Sequence, residues 1–123
     1  MTAFVRRMFG RGRRGPAVFA AAALAFAAVA FAECYPGGCA EVYVDELYPD
    51  SGGAWVQTSG NETLASCTAD SNVFLRLNGG PGFDAIYATL LAAQISEKKV
   101  GIRIIEGTNP CAIAYVRLNR NTW

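Results

Sequence analysis

Four cysteines carry the most legible chemistry in this 123-residue chain. Cys34, Cys39, Cys67 and Cys111 have the chemistry of metal ligands, thiol nucleophiles or disulfide partners. Zinc fingers hold their ligands in close pairs, and Cys34-x4-Cys39 followed by two scattered cysteines lacks that spacing. The chain has no histidine, so no Cys-His or Ser-His-Asp arrangement exists, and Ser59, Ser66 and Ser71 have no imidazole to activate them. An even number of cysteines in a short exported domain reads instead as two disulfides. Three pairings are open. Pro36-Gly37-Gly38 supplies a tight turn that favours Cys34–Cys39 and leaves Cys67 to pair with Cys111. Loop entropy assigns about 4 kcal/mol to the long crosslink and about 2 kcal/mol to the short one.

Other polar residues offer less. Asp45 and Glu46 are adjacent and point to opposite faces of a strand, while Asp50, Glu62 and Asp70 fall in polar loops. These carboxylates read as solvated charges rather than as a glycosidase pair. Asn78-Gly79-Gly80-Pro81-Gly82 lacks both the Lys-Ser/Thr of a phosphate loop and the spacing of a dinucleotide turn, so it reads as a strand-to-helix turn. No catalytic residue, metal or cofactor is expected. Binding chemistry is better represented. Tyr43 and Trp55 fall on outward positions of two strands, with the amides of Gln57 and Asn61 nearby. Aromatic faces beside amides suit a sugar-binding surface. The same aromatics equally suit a covered barrel end or an interface with another protomer.

The chain that must position these residues divides in two. Residues 1–32 contain five arginines and no acidic residue, and Pro16 to Ala32 is an uncharged run of 17 residues, ten of them alanine. It ends in Ala30-Phe31-Ala32, so a signal peptide cleaved before Glu33 is expected, together with a secreted or periplasmic destination. Arg6-Arg7 resembles part of a twin-arginine signal without its flanking residues. Membrane contact is expected only through this cleaved segment. Residues 33–123 hold six basic and ten acidic residues, a net charge of −4. That balance excludes the basic footprint of a nucleic-acid binder. Ninety-one residues are sufficient for one small domain, which two disulfides would staple.

Alternation marks strands at residues 41–48, 54–59, 73–77, 100–104 and 111–118. In the first, the pattern breaks near Glu46-Leu47, where a bulge is expected. Phe83 to Lys98 is helical, with Phe83, Ile86, Tyr87, Leu90, Leu91 and Ile95 forming one apolar stripe. The order strand-strand-strand-helix-strand-strand predicts a mainly β domain, an OB-fold-like five-stranded barrel with one helix plugging an end.

Phe83-Asp-Ala-Ile-Tyr-Ala-Thr-Leu-Leu-Ala-Ala-Gln through Lys98-Lys99-Val100-Gly-Ile-Arg-Ile104 also resembles a small exported proteobacterial family. That family shares its helix-then-strand arrangement with the receptor-binding B subunits of AB5 toxins, notably that of the subtilase cytotoxin. The resemblance covers residues 67 to 118, and residues 40 to 60 in outline. Ser96-Glu97 stands where relatives carry a glycine, so a different helix end is expected. The resemblance implies OB-fold protomers, a homo-oligomeric ring and glycan recognition. Its motif describes a helix–strand core, so no sugar-binding residue is carried over. The expectation is a non-catalytic exported binding module for a glycan or an envelope protein. The alternative is a stand-alone envelope protein with a structural or inhibitory role and no sugar affinity.

Overall fold

The computed structural model describes residues 33–120, so the expected signal peptide lies outside the described residues. Mainly β structure surrounds one helix. The strands are β1 (Glu33–Tyr35), β2 (Gly38–Val42), β3 (Val44–Asp50), β4 (Gly53–Thr58), β5 (Leu75–Asn78), β6 (Val100–Ile105) and β7 (Ala112–Arg117), with α1 (Phe83–Ser96) between β5 and β6. They form one sheet in the order β1-β2-β6-β7-β5-β4-β3.

Seven strands replace the five expected, for two reasons. Cys34 and Cys39 sit across a hairpin, because Pro36-Gly37 turns the chain and Tyr35 pairs with Gly38. This creates β1, whose Cys34 is disulfide-bonded to Cys39 of β2. Gly38 must lack a side chain, since a Cβ there would strike the carbonyl oxygen of Ile102 on β6. The expected first strand is also cut in two at Tyr43, leaving β2 paired to β6 and β3 paired to β4. β3 is therefore one edge of the sheet, while β2, joined to it through Tyr43, lies one strand in from the other edge at β1.

The sheet has a thin seam. β1, β2, β6 and β7 are antiparallel neighbours, as are β3, β4 and β5. Between the two groups stands only the parallel pairing of β5 with β7, in register at Arg76 and Ala112. The Arg76 N–H donates to the Cys111 carbonyl at 2.6 Å there. Cys111 is disulfide-bonded to Cys67. The neighbouring loops add Thr68 N–H to the Thr108 carbonyl at 3.0 Å and Cys111 N–H to the Thr68 carbonyl at 2.8 Å.

Strand faces follow the alternation in the sequence. Val56, Leu75, Leu77, Val100, Ile102 and Ile104 are buried in one core with Leu90 of the helix. In β3 the register shifts between Val44 and Glu46, a bulge at Asp45 that turns Leu47 back to the core. The helix departs from expectation. Phe83, Ile86 and Tyr87 pack on the core beside buried Leu90 and Ala93, whereas Leu91 is exposed and Ile95 is 74% exposed. Ile95 lies roughly 140° around the helix from Leu90, outside the stripe that the core receives. Among the described residues, no helix is long and apolar enough to cross a membrane.

Glu62 overturns its reading as a solvated loop charge. It opens a short 3-10 turn (Glu62–Leu64) and is only 2% exposed. Its Oε2 accepts from Thr58 N–H at 2.6 Å and Thr58 Oγ at 2.7 Å. Two donors at the end of β4 thus satisfy a carboxylate oxygen that burial alone would penalise. The helix end differs as well. Glu97 adopts φ 55°, the left-handed cap conformation that glycine occupies without a Cβ penalty.

Two stability outcomes follow from these crosslinks and caps. In urea denaturation, Cys67→Ser lowers stability by about 4 kcal/mol and Cys34→Ser by about 2 kcal/mol; equal losses would remove the seam's special dependence on its disulfide. Glu97→Gly raises stability by roughly 1 kcal/mol by relieving the left-handed side chain, and a loss in the same assay would refute that origin.

Candidate functional site

The four residues expected to form a sugar-binding face, Tyr43, Trp55, Gln57 and Asn61, occupy three different settings. Trp55 and Gln57 occupy the same side of β4, both half-buried. Asn61 caps the 3-10 turn, its Oδ1 accepting from Thr63 N–H at 3.1 Å and Thr63 Oγ at 2.6 Å. Tyr43 sits at the break between β2 and β3, where its backbone exchanges bonds with Ser59. Ser59 lies four residues from Trp55, about 13 Å along an extended chain. Tyr43 instead borders a shallow depression with Asp45, Gln94 and Glu97, and Lys99 Nζ stands 5.5 Å from its ring.

Trp55 is occupied by its own neighbours. Its Nε1–H donates to Asp50 Oδ2 at 3.2 Å, and the Arg76 guanidinium lies 4.6 Å from its ring centroid. Phe74 meets its edge at 6.4 Å and meets Tyr48 at 5.8 Å, both edge-to-face. Arg76 also grips Asp50 with two bonds, at 2.9 and 3.0 Å. This cluster braces the turn between β3 and β4 from outside the sheet. Trp55 has one face and its only polar atom committed to that brace.

A better-formed concavity lies on the outer face of β2, β6 and β7. It is a groove of about 330 Å³ lined by Tyr35, Glu41, Gly101, Arg103, Tyr115 and Arg117, among others. Register explains the assembly. Arg103 is opposite Tyr115 and Gly101 is opposite Arg117, so all four share one face of the β6–β7 pair. On the other side of β6, the β2 register shifts between Cys39 and Val42, so Ala40 and Glu41 together oppose Gly101. This bulge puts Glu41 at φ 53°. Bulges commonly re-aim side chains beside binding sites.

Gly101 is the informative residue. Glycine weakens a strand, so it usually marks a backbone requirement or a close approach. Here φ is not positive, and a Cβ would meet nothing nearer than 4.0 Å. Neither backbone nor packing demands glycine. What its missing side chain provides is the open floor of the groove. The walls are aromatic and cationic: Tyr35 is 43% exposed and Tyr115 is 49% exposed. The Arg103 guanidinium lies over Gly37 and 3.5 Å from Glu106, and Arg117 makes no ion pair among the described residues. Alternation over residues 100–104 sets Gly101 and Arg103 on the face opposite Val100, Ile102 and Ile104, and that much of the groove is legible in the sequence. The sequence offers no means of finding the bulge that brings Glu41 over Gly101.

The brace has a defined acid limit. Hydrogen bonds from Arg76, and then from the Gly52 N–H, hold the Asp50 carboxyl at about 2, below its ordinary 3.8. A depressed carboxylate stabilises the fold above its unfolded value and loses that contribution as pH falls through the folded one. The melting temperature of Asp50→Asn should therefore lie below that of the parent chain at neutral pH. The gap should close as pH drops from 3.8 to about 2. A gap that stayed constant over that window would separate Asp50's contribution from its charge.

No family model, curated protein or solved structure matches this chain.

Proposed function

We propose that this chain is an exported, non-catalytic binding module on an OB-fold-like barrel, and that its ligand, a glycan or an envelope partner, sits in the groove over Gly101. Export is supported by the arginine-rich, alanine-rich leader and by two disulfides, which suggest an oxidising compartment. The barrel reading is supported by topology. If residues 38–50 count as one bent strand, the order is strand-strand-strand-helix-strand-strand, with β1 as an added hairpin. That strand borders both β6 and β4, as closure of a small Greek-key barrel requires.

The observation that carries the binding role is Gly101. A strand glycine needed by neither backbone nor packing, flanked by two half-exposed tyrosines and two arginines, makes sense as a surface left open for something else. This moves the recognition surface away from Trp55, whose exposed edges serve the brace.

A protein-partner reading has its own support. Ala85, Ala88, Leu91, Ala92 and Ile95 are exposed on α1, an apolar outer face of the kind that marks protein contacts. Binding to an envelope protein, or to further copies of the chain as in a B-subunit ring, would cover it.

The test combines a glycan array with light scattering on oxidised residues 33–123. Glycan binding that Gly101→Val abolishes and Trp55→Ala leaves intact is the expected result. Binding lost in Trp55→Ala but retained in Gly101→Val would return the site to β4. A silent array with a ring-sized oligomer or a stable protein complex would favour the partner reading.

A further inference from the structure

The groove's charges point past a general ligand to a specific chemistry. We infer that it binds a phosphate ester of a saccharide, with the phosphate between Arg103 and Arg117 and the sugar ring on Gly101 against Tyr35 and Tyr115. This inference rests on the reading of that groove as the binding site.

Residues 33–123 are acidic overall, with six basic side chains. Arg76 is committed to Asp50 and Trp55, and Lys99 stands over Tyr43. Two of the remaining basic residues, Arg103 and Arg117, line this one groove. They occupy diagonal positions on adjacent strands, because Gly101 is opposite Arg117 and Arg103 is opposite Tyr115. Diagonal neighbours of that kind are about 7–8 Å apart at the backbone, within joint reach of one anion for arginine side chains. The one ion pair that either makes among the described residues, Arg103 with Glu106, is a weak 3.5 Å contact between exposed groups, and the Arg103 guanidinium otherwise lies over Gly37.

The number of forks favours phosphate. One guanidinium meets both oxygens of a carboxylate along a single edge, whereas the three terminal oxygens of a phosphate monoester present a separate edge to each of two guanidiniums. The rest of the groove suits the organic part of such a molecule. Gly101 gives a flat backbone floor, and the tyrosines give ring faces and hydroxyls. Across the floor Glu41 offers a carboxylate that accepts from sugar hydroxyls and disfavours a second anionic group on that side.

The test titrates oxidised residues 33–123 by calorimetry with glucose phosphate (the anomeric ester), glucose, glucuronate and inorganic phosphate. Glucose phosphate should bind at least tenfold more tightly than any of the other three. Arg117→Ala and Arg103→Ala should each weaken it roughly tenfold, the loss expected for one charged hydrogen-bonding partner. Gly101→Val should abolish binding while leaving the thermal melt intact. Co-sedimentation with phosphatidylcholine vesicles, with and without phosphatidylinositol 4-phosphate, whose ring phosphate is a monoester, assigns the source. Binding only to the mixed vesicles points to a lipid head group, and binding only to the free ester points to a soluble one.

Equal affinity for glucose and its phosphate, or no effect of either arginine, would overturn the inference while the groove remained a sugar site. Equal affinity for glucuronate would replace phosphate with a carboxylate. Binding of the ester that survives Gly101→Val would overturn both this inference and the placement of the site. No heat with any probe would overturn the inference alone, leaving the array to decide the broader reading.

Discussion

One parallel pairing joins the two halves of the sheet. β5 and β7 meet in register only at Arg76 and Ala112, yet they join two antiparallel groups that are each well hydrogen-bonded internally. Parallel pairing is slightly weaker per residue than antiparallel pairing, and here the ladder is minimal. The Cys67–Cys111 disulfide lies at the seam, and the 66–68 and 107–111 loops bond to each other alongside it. Leu75 and Leu77 lie on one side of the seam, and Ile104 and Ile113 on the other, in one continuous core. Opening the seam would expose all four.

Arg76 connects the seam to the opposite end of the sheet. Its backbone donates to Cys111 on the seam, while its guanidinium holds Asp50 at the β3–β4 turn and covers Trp55. A single residue thus registers β5 against β7 and steadies the far hairpin of the same strand group. This explains why Trp55, the largest aromatic among the described residues, serves the fold. The indole is the platform on which the arginine lies, and the arginine is what neutralises Asp50.

Residues with a single geometric job were legible in the sequence. Val100, Ile102 and Ile104 alternate and are buried, the helix starts at Phe83, and the broken alternation in β3 is a true bulge. Residues whose role depends on distant neighbours were not. Ile95 fits an apolar stripe by spacing, but the core receives the helix along a line through Leu90 and Ala93. Glu62 reads as a loop charge because nothing local reveals the two Thr58 donors waiting for it. The break at Tyr43 is invisible because both flanking segments are good strand sequence. The groove is the extreme case, because its walls come from β1, β2, β6 and β7 and only the register of a bulge assembles them.

The seam and the groove divide β7 between them. Ala112 and Ile113 face the seam and core, and the register shift at Ala114 separates them from Tyr115 and Arg117 in the groove. Tyr35, Tyr115 and Arg117 are surface side chains, and the core closes without any of them. Substitutions at these positions therefore carry little thermodynamic penalty. Such a surface is evolvable: its side chains can be exchanged without disturbing the pairing and the disulfide that stitch β5 to β7.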